Sequence, residues 1–188
     1  MITCWFDGAC GPESPGGHAG YGAIVKRDGR ILFSEAGYVG HGSAMTCNVA
    51  EYAGAIAVLK YLLAHNLTEA LIYGDSDLVI KQLNRQWKAK KGLYLPYFRE
   101  AITLRLQLPN VQMKWIPRER NDEADALSKQ AINKKGGFRR PHLTLNPQEQ
   151  SMDYHQRIDT IQIAREMQSE KPSSDDSPNP ILGLLFMA

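Results

Sequence analysis

Asp28 and Gly29 stand between two apolar runs, "GYGAIVKR" and "RILFSEAGYVG". Asp-Gly between such runs is the strongest short-range signal for a tight β-hairpin, because both turn residues must accept positive φ. An apolar, β-rich stretch, "MITCWFD", precedes them and predicts a first strand over 1–7. The chain therefore starts with three antiparallel strands. Beyond them the periodicity changes. "TCNVAEYAGAIAVLKYLLAHN" carries apolar residues at helical spacing and predicts a helix from near Met45 or Thr46 to near Asn66. Then come a buried strand over 70–73, a short helix over 77–85 with Ser76 as N-cap, and a helix from near Leu95. "VQMKWIP" reads as a strand stopped by Pro117, and "NDEADALSKQAIN" as a helix with Asn121 as N-cap. The order β-β-β-α-β-α-α-β-α predicts an α/β fold. Its five-stranded mixed sheet has three antiparallel strands plus two parallel ones, flanked by helices.

The chain of 188 residues is longer than this arrangement needs. At Lys134 its character changes. "KKGGFRRPH" reads as a basic hinge, and Pro, Ser, Gln and charge dominate beyond it. Two regions are expected: a domain over 1–133, and a hinge with a largely disordered tail over 134–188. The tail holds a weak helical stripe over 153–169 and an apolar end, "ILGLLFMA". Such an end, on an acidic string, suits a groove on a protein partner such as a replication clamp, or folds back on the core. Three cysteines without metal spacing read as reduced thiols in a cytoplasmic protein. No apolar run of about 18 residues is evident, so no membrane association is expected. The net charge of +2 is too small to argue for a polyanionic partner by itself.

The acidic residues carry the chemistry. Asp7 is expected at the end of the first strand, Glu51 two turns into the first helix, Asp75 after "LIY", and Asp125 in the first turn of the last helix. Ligands of open α/β sheets gather at such strand ends. Four carboxylates converging there would repel one another without cations. They are the oxygen ligands that hard divalent ions require.

"DGAC", "MTCNVAEYAG", "GDS" and "WIPRERNDEADALS", in that order over residues 1–133, resemble the motifs of type 1 ribonuclease H. The resemblance implies an RNase H-like fold and an endonuclease that cuts the RNA strand of RNA–DNA hybrids, leaving 5′-phosphate and 3′-hydroxyl ends. It implies Asp7, Glu51, Asp75 and Asp125 as catalytic and metal-binding residues for two Mg²⁺ ions, with Mn²⁺ as a substitute. The substrate contacts it suggests are Gly8, Cys10, Thr46, Cys47, Asn48, Ser76, Trp87, Lys88 and Arg118. Gly-rich loop amides and Asn48 would read the 2′-hydroxyl that marks RNA. Thr46 would contact a DNA phosphate or simply cap its helix.

Lys81–Arg99 interleaves six cations with Trp87, Tyr94, Tyr97 and Phe98. It suits a nucleic acid, or else is a solvated face with Trp87 and Phe98 in the core. Two departures place the chain in a shorter subgroup. The basic insertion is brief, and the stretch from Pro117 to Asn121 holds no His. Arg118 there would contact the scissile region or steady Glu119 and Asn121, or be a plain surface residue. His18 and His41 read as bystanders. A monomer is expected. The rival readings are an inactive nucleic-acid-binding module on the same fold, and another nuclease such as a junction resolvase.

Overall fold

The Asp28-Gly29 turn forms with both residues at positive φ, 51° and 82°. It joins β2 (Gly16–Arg27) to β3 (Arg30–Gly42), with Arg27 opposite Arg30. The computed structural model describes residues 1–134 and 138–141. All of these fall in the first of two compact units, Met1–Met152. The tail helix expected over 153–169 and the apolar end lie outside the described residues.

Strand β1 (Ile2–Gly11) pairs antiparallel with β2 and parallel with β4 (Leu71–Gly74); β5 (Gln112–Trp115) pairs parallel with β4. The expected three antiparallel and two parallel strands are therefore present. A short further strand, β6 (Phe138–Pro141), extends the sheet by pairing antiparallel with β3, giving the order β5-β4-β1-β2-β3-β6. It lies in the stretch read as a hinge. Without it β3 would be a bare edge, with unpaired backbone groups.

Asp7 does not end its strand, as its position before a Gly-rich loop had suggested. Pairing with β2 carries β1 on to Gly11, opposite His18, whereas β4 stops at Gly74, opposite Phe6. Asp7 is thus the first β1 residue beyond its parallel neighbour. The gap that opens there is where an open sheet accepts ligands.

Helix α1 (Cys47–Ala64) covers one face of the sheet. The Thr46 hydroxyl caps it, accepting the Val49 N–H at 3.1 Å. By length and mean hydropathy α1 could cross a bilayer, contrary to the expectation that no segment could. Its apolar surface is instead spent on β1, β2 and α3 (Leu95–Leu106), with Tyr52, Leu59 and Leu62 fully buried. The short α2 (Asp77–Leu83) follows β4, with the Ser76 hydroxyl at its start. A 3₁₀ turn (Arg118–Arg120) leads into α4 (Asp122–Lys134), which covers the other face. There α4 lies so close to β2 that a Cβ on Gly22 would stand 2.1 Å from the Ala124 carbonyl oxygen. On the α1 side the tight point is Gly8, where a Cβ would stand 2.0 Å from the Glu51 nitrogen. Gly8 and Gly22 let both helices down onto the strands beside Asp7.

Candidate active site

Asp7, Glu51 and Asp75 come from β1, α1 and the turn after β4. One carboxylate oxygen of each lies within 4.8 Å of the other two. The packing at Gly8 fixes this, because it sets the second turn of α1 directly on the strand residue after Asp7. Asp7 is almost fully buried and Glu51 nearly so. Burial pushes the Asp7 carboxyl up from 3.8 to about 6; the charges of Asp75 and Asp125 add to this, against a hydrogen bond from Ser128. Burial, then the charges of Asp7 and Asp75, raise the Glu51 carboxyl well above the usual range. Glu51 Oε2 is buried without any hydrogen-bond partner. A buried carboxyl oxygen in such a cluster of acids lacks its counterpart. A hard divalent cation, which takes oxygen ligands, supplies it. The residues present therefore fit a metal.

Asp125 stands apart from this trio. Its Oδ1 accepts from Arg118 Nη2 at 2.6 Å, and its Oδ2 accepts from Lys129. Burial alone would raise its carboxyl, but those two cations outweigh burial and hold it below the ordinary value. It still acts electrostatically on Asp7. The Arg118 carbonyl accepts the Asn121 N–H at 2.9 Å, one of the parts the sequence suggested, while its side chain goes to Asp125. The 3₁₀ turn carries it back over the first turn of α4, beside Asp125.

Asn121 also departs from its expected part. Its side-chain oxygen caps nothing. Its Nδ2 instead donates to the Phe6 carbonyl at 2.9 Å and to Asp75 Oδ1 at 3.1 Å, tying β1 to Asp75. Three further residues were not singled out from sequence. Ser128, fully buried, donates to Asp7 Oδ2. Trp115 Nε1 donates to the Asp75 carbonyl at 2.9 Å. Lys129 pairs with Asp125. Helical spacing offered one clue, since Ser128 and Lys129 lie three and four residues after Asp125.

Most of the proposed substrate contacts fall into two groups. Gly8, Cys10, Thr46, Cys47 and Asn48 surround the junction of β1 with the start of α1, where the Cys47 N–H donates to Ser14 Oγ at 3.1 Å. Ser76 caps α2. Trp87 and Lys88 lie apart, beyond α2. Trp87 is 48% exposed, which removes it from the core, and Lys81 Nζ lies 4.4 Å from its ring centroid. Lys88 is exposed as well, whereas Phe98 packs partly buried against the core. His18 is engaged with Tyr38, and its ring centroid lies 4.3 Å from that of His41, on β2 and β3.

A mixed sheet with helices on both faces, and three acids meeting where β1 outruns β4, defines an RNase H-like fold with a carboxylate cluster able to hold a metal. Residues 5–131 match the family described as Reverse transcriptase-like, and the chain belongs to that family. The Bifunctional protein Rv2228c of Mycobacterium tuberculosis is 36% identical over 119 residues, 62% of this chain. The chain spans about a third of that relative's length, 32%. Ribonuclease HI of Halobacterium salinarum is 30% identical over 132 residues, 70% of this chain and 64% of that protein. The solved N-terminal RNase H domain of rv2228c shares 34% identity with a TM-score of 0.63, covering 70% of this chain and 98% of that one. LC11-RNase H1, solved in complex with an RNA/DNA hybrid, shares 29% identity with a TM-score of 0.63, covering 72% and 99%.

Proposed function

We propose that this chain is an endoribonuclease that cleaves the RNA strand of RNA–DNA hybrids and leaves 5′-phosphate and 3′-hydroxyl ends. We assign it two Mg²⁺ ions, with Mn²⁺ able to replace them. The observation that carries this reading is the trio Asp7, Glu51 and Asp75, gathered within 4.8 Å of one another, with one Glu51 oxygen buried and unpartnered. The relationship to RNase H1 enzymes supports the substrate class.

Bound at these carboxylates, divalent cations supply Lewis acidity, a water of lowered pKa and charge to balance the departing 3′-oxygen. The chain's own residues do the positioning. Asp7, Glu51 and Asp75 hold the cations. Ser128 fixes the Asp7 carboxylate, and Asn121 fixes Asp75 against the backbone of β1. Asp125, neutralised by Arg118 and Lys129, borders the trio and completes the site once those cations turn to substrate phosphates. Amides near Gly8 and Cys10, with Asn48, read the RNA sugar edge. Thr46, Lys88, and Trp87 with Lys81 over its ring hold the DNA strand. No histidine is required as base. A cytoplasmic site of action, with a role in removing RNA during replication, accords with three free thiols.

The test is cleavage of an end-labelled hybrid by the wild type and by Asp7→Asn, each with Mg²⁺ and with EDTA. Metal-dependent loss of the RNA strand alone, abolished in the variant, is expected. A folded wild type that binds hybrid but cuts neither strand in Mg²⁺ or Mn²⁺ would refute the assignment and make this a binding module.

A further inference from the structure

We propose that Cys10 and Cys47 form a reversible thiol–disulfide pair that closes the junction between β1 and α1 beside the carboxylate site. The pairing follows from register. Alternate β1 residues face α1: Cys4 and Phe6 lie in the shared core, and Gly8 touches the helix backbone. Cys10 continues on that side. The helix runs the opposite way along the strand. A Cβ on Gly54 would stand 3.0 Å from the Asp7 carbonyl oxygen, while Ala50 and Glu51 lie against Gly8. Two strand residues advance about 6.7 Å and one helical turn about 5.4 Å. One such step beyond the Gly8–Glu51 contact brings Cys10 to Cys47.

Side-chain contacts agree. Ser14 Oγ accepts the Cys47 N–H at 3.1 Å and also hydrogen-bonds with the Cys10 thiol, which itself donates to the Glu13 carbonyl at 3.2 Å. Burial raises the Cys10 thiol, and the nearby Cys47 adds to this. The absence of a Gly8 side chain lets α1 approach closely enough for a bridge that spans Cα atoms about 5.5–6 Å apart.

The two sulfurs differ in access. Cys47 is exposed and meets an external oxidant first; Cys10 is half-buried, and burial pushes its thiol up. The oxidant is a small-molecule disulfide of the glutathione class. The Cys47 thiolate attacks one of its sulfurs, breaks that S–S bond and expels a thiolate. Cys10, giving its proton to solvent, then attacks the Cys47 sulfur and expels the second thiolate. Two protein thiols are oxidised, and one external disulfide becomes two thiols that take up the two protons. Cytosolic disulfides of this transient kind serve redox sensing. The bridge would cross the Ser14 loop, next to Thr46 and Asn48 and one turn before Glu51. Its effect on hybrid binding rests on the proposed function; its formation does not.

The full-length protein, metal-free, is incubated with oxidised glutathione and then with dithiothreitol. Peptide mapping under non-reducing conditions is expected to give a Cys10–Cys47 cross-link, reversed by the reductant. Native thiol titration is expected to fall by two groups in wild type. Fully buried Cys4 is an internal reference, left reduced throughout. Hybrid affinity in Ca²⁺ is compared oxidised against reduced, within each protein. That ratio is expected to fall about tenfold or more in wild type and to stay near unity in the Cys10→Ser, Cys47→Ser double variant, which offers the oxidant no accessible thiol. A lasting glutathione adduct on wild-type Cys47 without a link to Cys10, or no reaction at either thiol, overturns the pairing. A cross-link with unchanged hybrid affinity overturns the closure. Absence of hybrid binding by the reduced protein instead counts against the proposed function, leaving the mapped cross-link as evidence for the pair.

Discussion

Replacing Asp7 by Asn should abolish cleavage and at the same time stabilise the metal-free protein. Asp7 is 3% exposed, and its carboxyl titrates at about 6 in the fold against 3.8 ordinarily. A group whose folded pKa is raised contributes most below its unfolded pKa, and that stability is lost as pH rises through the folded pKa. The folded protein holds the Asp7 proton in the window between about 4 and 6, where the unfolded chain has released it. The displacement is worth about 3 kcal/mol at pH 8. Asparagine keeps the shape, accepts the Ser128 hydroxyl and carries no charge; it also relieves Glu51 of a neighbouring anion. In EDTA the variant should therefore melt higher than wild type by roughly 6–12 °C at pH 8, with the gap closing as pH falls towards 4.5. Calorimetry across that range, with and without Mg²⁺, is the assay. Mg²⁺ should raise the wild-type midpoint and barely move the variant's. A variant no more stable than wild type at pH 8 in EDTA, or a gap independent of pH, would refute the argument that crowded carboxylates strain the empty fold.

Three other outcomes are expected. Gly8→Ala places a Cβ against the Glu51 backbone, which must move; a loss of about 1–3 kcal/mol and a rise in the Mg²⁺ concentration needed for cleavage should appear together. Asn121→Ala leaves the Phe6 carbonyl and Asp75 without their donor, costing about 1–3 kcal/mol in denaturant melts and cutting kcat more than KM. Lys81→Met should weaken hybrid binding and lower the slope of log Kd against log salt by about one, without changing the cleavage rate at saturating hybrid.

Local signals were enough to place most of the elements. Asp28-Gly29 marked the hairpin because only a left-handed turn closes those strands, and Thr46 and Ser76 marked helix starts because free N–H groups there need an acceptor. The carboxylates were legible as residue types at element ends, and their order along the chain supplied the family. Their grouping was not. Whether Asp125 joins the other three depends on where Arg118 and Lys129 point, which spacing along the chain does not say. The true end of β1 was hidden too, since β2 holds it beyond Asp7 while β4 lets go. Asn121 looked like a cap because caps are local, yet its bonds go to Phe6 and Asp75, 115 and 46 residues away. The sequence by itself determined the kinds of element, their order and the acids available, because propensity, capping and turn chemistry act between near neighbours. Only the tertiary structure decided which acids meet and what neutralises the fourth. Those outcomes depend on how closely α1 and α4 settle on the strands at Gly8 and Gly22.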